Sequence, residues 1–197
     1  MKLSNIYKSF ALGVTVAAVI SGCGGGGATN PFTLSSTSID SGGVIDVKYA
    51  WFAEDNNNAP NISPQLEWEN VPDGTNSFAF IMDDPDAVAV VGRVWVHWNI
   101  FIPEGNVTSI PENASLTVNM PAGSVEGTSD GGAPHYEGPN PPAGAAHTYK
   151  FCLYALSTAG IPAGVDASSK YTQDEFKAKF DADILGSNCF SASYTHQ

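Results

Sequence analysis

The sequence predicts a mainly β protein with one late helix. Apolar residues recur in short runs at residues 45–52, 78–82, 94–102 and 149–156, with either the period of two or the continuous character of strands. The chain contains 20 Gly and 13 Pro among its 197 residues, so turns must be frequent. One segment, which begins at residue 172, carries a convincing helix start signal.

Three of the four strand candidates differ in the burial that their patterns predict. In residues 45–52 apolar and polar side chains alternate, which is typical of a half-buried strand; Ile45, Val47, Tyr49 and Trp51 share its apolar face. Residues 78–82 and 149–156 are more continuously apolar. We therefore expect these two runs to be central strands that are covered on both faces.

Residues 94–102 form the fourth strand candidate, and their alternation predicts two unlike faces. The apolar face carries Val94, Val96, Trp98, Ile100 and Ile102. The mixed face carries Trp95, His97, Asn99 and Phe101. Strict alternation thus predicts that His97 points to the same side as Asn99 and Phe101.

The helix is predicted from its first turn. Thr172 and Glu175 have the T-x-x-E spacing of a capping box, in which each residue satisfies a backbone amide of the other. Phe176 and Phe180 follow at the i, i+4 spacing that places them on one face. We expect the helix to end at Gly186.

Composition and charge bound the class of protein. Hydrophobic residues make up 43 % of the chain and charged residues 14 %, a balance that excludes disorder for most of it. Eight Lys and Arg oppose 20 Asp and Glu, so the net charge is -12. Because this charge repels phosphate backbones, nucleic acid is excluded as an expected partner.

The N-terminal residues have the pattern of a targeting segment. Lys2 and Lys8 precede an apolar run at residues 10–20 that suits a signal peptide and is too short to span a bilayer comfortably. Residues 20–23, Ile-Ser-Gly-Cys, resemble the lipobox of bacterial lipoproteins, in which the cysteine is acylated and becomes the first mature residue. A plain secretory signal and a retained helical anchor are the alternatives.

This interpretation divides the chain into three parts. Residues 1–22 are the predicted lipoprotein signal peptide, residues 23–30 a Gly-rich tether, and residues 31–197 a single domain. Lipidation at Cys23 would attach the protein to a membrane of the cell envelope. Gly24 after the cysteine is compatible, by the lipoprotein sorting rule, with the outer membrane.

Two cysteines remain once Cys23 is assigned to lipidation. Cys152 and Cys189 could form a disulfide in an oxidising compartment, or both could be small buried hydrophobic residues of strands. Neither has the C-x-x-C spacing of a redox or zinc site.

Polar residues that could carry chemistry follow the apolar run 78–82. Asp83, Asp84 and Asp86 lie around Pro85, in a turn that could bind a cation, supply an acid or base, or simply face water. His97 and His147 match no metal-binding spacing, and no G-x-S-x-G element is present, so neither a metal nor a cofactor is expected.

Three ordered segments resemble the phosphatidylethanolamine-binding protein family, in particular its bacterial Raf-kinase-inhibitor-like branch. They are SPQLEWENVPDGTNSFAFIMDDPDA at residues 63–87, VWVHWNIFIP at 94–103 and YEGPNPPAGAAHTYKFCLYAL at 136–156. The resemblance covers residues 31–194. It implies a β-sandwich of packed antiparallel sheets with one or two peripheral helices, and a small pocket for anions such as phosphate, acetate or a phospholipid head group.

The resemblance also implies a set of ligand-binding residues: Asp84, Asp86, His97, Tyr136, Gly138, Pro141, Pro142, His147 and Tyr149. In this set Asp84 could accept a hydrogen bond from a head-group ammonium or alcohol. Two positions depart from the family, because Thr148 replaces a common Arg and Val88 a common Pro. Without a guanidinium partner, the orientation of Asp86 is left open.

The sequence therefore favours a non-enzymatic, lipid-anchored envelope protein that binds an anion or a phospholipid head group. The alternative is an interaction module whose pocket rim inhibits a kinase or a protease, as inhibitor branches of the family do. A third hypothesis, an Asp/His hydrolase, rests on the carboxylate and imidazole residues alone.

Overall fold

The computed structural model describes residues 30–51 and 61–196 of the chain. The predicted signal peptide, Cys23 and nearly all of the predicted tether lie outside these residues. Within them, eight strands form two antiparallel sheets.

The smaller sheet has the strand order β1-β2-β5. Its strands are β1 (Thr33–Ser35), β2 (Leu66–Glu69) and β5 (Ser109–Ile110). The larger sheet has the order β6-β4-β3-β7-β8. Its strands are β3 (Ser77–Asp84), β4 (Trp95–Ile102), β6 (Val125–Gly127), β7 (Ala146–Leu156) and β8 (Ile184–Thr195).

The main core lies between the two sheets. Leu66 and Trp68 of the small sheet belong to the same buried cluster as Phe80, Trp98 and Phe151 of the large sheet. All eight residues of β3 are buried, because this strand has β4 and β7 at its sides and side chains packed on both faces. The expected mainly β sandwich is confirmed, with strands at residues 78–82, 94–102 and 149–156 and with the first and last of these in the middle of the large sheet.

Two helices accompany the sheets, a single turn α1 (Val88–Val91) and α2 (Gln173–Phe180). The capping box of α2 is confirmed, since Thr172 Oγ1 accepts from the Glu175 amide and Glu175 Oε2 accepts from the Thr172 amide. Phe176 and Phe180 pack on the outer face of the large sheet in a second cluster. In the described ranges no helix combines the length and apolarity needed to cross a bilayer.

The expected end of α2 at Gly186 is wrong. The helix ends at Phe180, a 3-10 turn follows at Asp181–Asp183, and Gly186 already lies within β8 opposite Ala155. From Ile184 onward the chain pairs with β7 as strand β8. The end of the helix is therefore set by pairing between distant segments and not by the local glycine signal.

The expected strand at residues 45–52 is also wrong within the described residues, which reach Trp51. Residues Val47–Tyr49 form a 3-10 turn. Asp46 begins that turn, because its side chain accepts a hydrogen bond from the Lys48 amide at 2.9 Å. Consequently Val47 is 51 % exposed while Ile45 and Tyr49 are buried, so local capping overrides the period of two.

Cys152 and Cys189 lie opposite each other in β7 and β8, and their sulfur atoms are bonded in the structure. The bond joins residues 37 apart in sequence. A loop of that length corresponds to a stabilisation of roughly 3–4 kcal/mol in the loop-entropy model.

Candidate functional site

A cavity of about 200 Å³ opens at the edge of the large sheet where β3 ends and where β4 and β7 begin. Four residues of the loop after β6 (Glu137, Asn140, Pro141 and Pro142) and the α1 turn complete its wall. The lining residues are Asp84, Ala87, Val90, Val91, Trp95, His97, Glu137, Asn140, Pro141, Pro142, His147 and Tyr149.

The three carboxylates that follow the buried run of β3 point in different directions. Asp83 faces α2, where its oxygens accept from the backbone and side-chain amides of Gln173, and burial raises its pKa to about 6. Asp84 reaches the cavity. Asp86 is exposed and accepts from the Thr148 amide at 2.8 Å, outside the cavity wall.

The carboxylate of Asp84 accepts hydrogen bonds both from the turn that follows it and from one imidazole. Its Oδ1 accepts from the amides of Asp86 and Ala87 at 2.9 and 3.2 Å, and Oδ2 lies 2.6 Å from His147 Nδ1. Because a carboxylate only accepts, His147 Nδ1 is the donor and Nε2 is the nitrogen available to a ligand. Both carboxylate oxygens of Asp84 are thus already engaged by the protein, which argues against its expected role as an acceptor for a ligand ammonium.

His97 reaches the cavity because of a β-bulge. In the ladder between β3 and β4, Met82 pairs with Trp98 and the next residue, Asp83, pairs with Val96, so His97 is the extra residue. A bulge re-aims the side chains on one side of it. The expectation that His97 shares a face with Asn99 and Phe101 is therefore wrong.

The consequence of the bulge can be followed along β4. Before it, Trp95 pairs with Asp84 and lies on the cavity side. Beyond it, Asn99 donates to the Tyr171 carbonyl and Phe101 joins the cluster around α2, both on the opposite face of the sheet. Without the extra residue, His97 would lie under α2 and not beside Asp84.

The hydrogen bonds of His97 define its tautomer. Nδ1 lies 2.8 Å from the carbonyl oxygen of Glu137, which can only accept, so Nδ1 carries a proton. Burial lowers the pKa of His97, against a smaller opposing effect of this bond and of nearby carboxylates. Near pH 7 the ring is therefore neutral, and its Nε2 carries a lone pair.

Tyr149 contributes a hydroxyl donor to the group of side chains that line the cavity. Its side chain is fully buried, and its hydroxyl has no hydrogen-bond partner in the described part of the chain. Burial raises the pKa of this phenol far above its ordinary value, so it stays protonated. The ring of His97 packs edge-on against Tyr149, with ring centroids 5.1 Å apart. A buried hydroxyl without a partner loses a hydrogen bond that a ligand oxygen could restore.

Six of the nine predicted ligand-binding residues line this cavity: Asp84, His97, Pro141, Pro142, His147 and Tyr149. Three do not, and each has a partner elsewhere. Asp86 accepts a hydrogen bond from the backbone amide of Thr148, so its carboxylate has a partner although position 148 carries no arginine. The Tyr136 hydroxyl donates to the Tyr49 carbonyl at 2.7 Å.

Gly138, the third, is needed for a close approach between two loops. A Cβ at this position would lie 2.2 Å from the carbonyl oxygen of Tyr49, so no larger residue fits. Its amide donates to Asn61 Oδ1 at 2.8 Å. Gly138 thus positions the loop that carries Pro141 and Pro142.

The cavity also contains residues that sequence reasoning missed. Glu137 and Trp95 are joined by a hydrogen bond from the indole nitrogen to Oε2 at 3.3 Å, and Val90 and Val91 come from the unpredicted α1 turn. The WVHW and YEGP segments contained the first two residues. No local sequence signal indicates that Trp95 and Glu137 line the cavity, because their positions depend on the bulge in β4 and on the packing of the loop.

Comparison with known proteins identifies one family. The model of the family described as "Phosphatidylethanolamine-binding protein" matches residues 35–195. Escherichia coli YbcL is 36 % identical over 141 residues, which cover 70 % of this chain and 74 % of YbcL. The YbcL crystal structure superposes with a TM-score of 0.72 at 30 % identity, covering 84 % of this chain and 99 % of that one.

Two further relatives come from other organisms. A UPF0098 protein of Methanothermobacter thermautotrophicus is 47 % identical over 98 residues, which cover 50 % of this chain and 62 % of that protein. LppC of Mycobacterium tuberculosis, whose name proposes that it is a lipoprotein, is 31 % identical over 173 residues, covering 75 % of this chain and 78 % of LppC. The assignment to a Raf-kinase-inhibitor-like branch stays a prediction.

Proposed function

Because the chain belongs to the phosphatidylethanolamine-binding protein family, we propose that its cavity binds the phosphate of a small anionic ligand or phospholipid head group. The observation that carries this proposal is the hydroxyl of Tyr149, a buried donor with no partner among the described residues, on a side chain that lines the cavity together with His97 and His147. A phosphate oxygen is an acceptor that could complete its hydrogen bonding.

Each part of the wall has a role in this binding. The Tyr149 hydroxyl donates to one phosphate oxygen. His97 and His147, whose Nδ1 atoms are already used, face the ligand through Nε2 and donate once that nitrogen takes up a proton. The carboxylate of Asp84, 2.6 Å from His147 Nδ1, fixes the orientation of this ring so that Nε2 faces the ligand.

The same wall offers acceptors for an amine. Glu137 and Asn140 line the cavity on the loop that faces the histidines. A head group that carries both a phosphate and an ammonium would use both sets of groups. A zwitterionic head group is therefore a better match than a bare phosphate in a protein with a net charge of -12.

We propose binding without catalysis. Among the described lining residues there is no Ser, Thr, Cys or Lys that could act as a nucleophile. The phenol of Tyr149 is held protonated by its raised pKa. The carboxylate of Asp84, on which the Asp/His hydrolase hypothesis depends, already accepts hydrogen bonds at both oxygens from the turn amides and His147. These features favour a binding protein over the hydrolase hypothesis.

A lipid anchor would place this binding site at a membrane of the cell envelope. We propose that residues 1–22 are removed and that Cys23 is acylated. The lipobox-like residues 20–23 support this proposal, together with the similarity to LppC. Several acyl chains would hold the protein stably at the membrane, where a single chain would not.

Replacing Tyr149 with phenylalanine tests the role of the hydroxyl. The variant removes one oxygen and leaves the ring that packs on His97. We expect its affinity for phosphoethanolamine, measured by isothermal titration calorimetry, to fall by about tenfold or more, because a hydrogen bond to a charged group is lost.

Tyr154→Phe is the matched control. Tyr154 is also a fully buried tyrosine of β7 whose hydroxyl has no partner within the described residues, but it lies in the cluster around α2. Its substitution is expected to leave the affinity unchanged. A Tyr149→Phe variant that binds phosphoethanolamine as tightly as the unaltered protein would contradict the proposed role of this hydroxyl.

A further inference from the structure

The α1 turn exposes aliphatic side chains at the mouth of the cavity. Val88, Val90 and Val91 are 49 %, 54 % and 44 % exposed. Val90 and Val91 also belong to the cavity wall, so the exposed aliphatic surface is continuous with the site. Residues 87–92, Ala-Val-Ala-Val-Val-Gly, contain no polar side chain.

A second part of the mouth has the same character. Pro141 and Pro142 line the cavity, and residues 141–146 consist only of Pro, Ala and Gly. Residues 138–146 contain no charged side chain, although the whole chain has 28 charged residues, 8 basic and 20 acidic. The cavity therefore opens between two uncharged and largely apolar rims.

The size of the cavity limits what can enter it. Its volume of about 200 Å³ is below the roughly 300–1,000 Å³ of sites that enclose drug-sized ligands. A head group fits such a space, whereas a hydrocarbon chain attached to it must leave through the mouth. The valine turn is the exposed aliphatic surface that borders this mouth.

We propose that Val88, Val90 and Val91 form an acyl-chain subsite, so that a ligand with its phosphate in the cavity lays its hydrocarbon chain across this turn. This inference rests on the proposed function, because it needs a head group in the cavity. Burial of methylene groups against the valines would add affinity that a free phosphate ester cannot obtain.

Chain length provides the test. The probes are the methyl, butyl, hexyl and octyl esters of phosphoethanolamine, each used below its critical micelle concentration and measured by isothermal titration calorimetry. We expect the affinity to rise about twofold per methylene, since the chain is covered on one side only. The octyl ester should then bind at least about tenfold more tightly than the methyl ester.

The deciding variant is the triple substitution Val88→Ser, Val90→Ser and Val91→Ser. Its readout is the ratio of the octyl to the methyl affinity within one protein, so that any change in head-group binding cancels. We expect the ratio to fall towards one. Val118→Ser is the matched control, because Val118 is 99 % exposed and is not part of the cavity wall, and its ratio should equal that of the unaltered protein.

Four outcomes would overturn the inference, and one of them would also overturn the proposed function. A ratio near one in the unaltered protein, or an undiminished ratio in the triple variant, contradicts the acyl-chain subsite and leaves head-group binding intact. Failure of every ester to bind removes the proposed function as well. If the ratio is near one while a purified protein partner contacts the valines, the rim is an interaction surface and the subsite is wrong.

Discussion

Replacing Asp84 with alanine is expected to abolish phosphoethanolamine binding and to lower the free energy of unfolding by about 3 kcal/mol. The substitution leaves the His147 Nδ1–H and the amides of Asp86 and Ala87 without their acceptor in a buried turn. Urea denaturation measures the loss of stability, and calorimetry measures the loss of binding.

Asp84→Asn separates the two effects of this substitution. Its amide oxygen can still accept from the turn amides, and its NH₂ group can donate to His147 Nδ1, which forces the proton of a neutral ring onto Nε2. We expect most of the stability to return, together with anion binding that no longer requires His147 to take up a proton. A Asp84→Ala variant with unaltered stability and affinity would contradict the role assigned to this carboxylate.

Binding of a phosphate monoanion is expected to strengthen as the pH falls from about 8.5 to 5.5. In the free protein, burial lowers the pKa of His97, and its Nδ1–H is used by the Glu137 carbonyl. Nε2 must therefore gain a proton before it can donate to an anion. Since the complex then holds more protons than the free protein, its association constant rises as the pH falls, by up to about tenfold per pH unit for each proton.

Dimethyl phosphate is the suitable probe because its charge stays constant over this range. The carboxylates of Asp84, Glu137 and Asp130 all favour protonation of His97, in opposition to burial. His97→Gln replaces the titrating ring with a neutral amide and should reduce the pH slope. A dissociation constant that does not change with pH while the protein stays folded would rule out proton-coupled binding.

The strands were predictable where burial is a local property of the sequence. Residues 78–82 and 149–156 are apolar throughout because β3 and β7 are central strands with both faces covered. The start of α2 was predictable because a capping box is formed by residues three apart. At residues 45–51 the alternation of apolar and polar side chains predicted a strand wrongly. Asp46 caps a 3-10 turn there, and the alternation does not reveal that turn.

The sequence predicted several residues of the candidate site, but not the directions in which their side chains point. The resemblance pointed to Asp84, His97, His147 and Tyr149, and all four line one cavity. His97 lies there because of a bulge, which is a property of the pairing between β3 and β4 and not of either strand alone. The separate directions of Asp83 and Asp86 likewise depend on Gln173 and Thr148, which are distant in sequence.

The proposed binding mode brings the phosphate to Nε2 of His97 and of His147, and histidine ¹⁵N NMR reports on these atoms individually. On titration with phosphoethanolamine at pH 7, we expect both Nε2 resonances to move towards their protonated positions. His135, which is not part of the cavity wall, serves as the internal control and should not respond. If the His97 and His147 resonances stay in place at millimolar phosphoethanolamine, the cavity does not bind phosphate through its imidazoles.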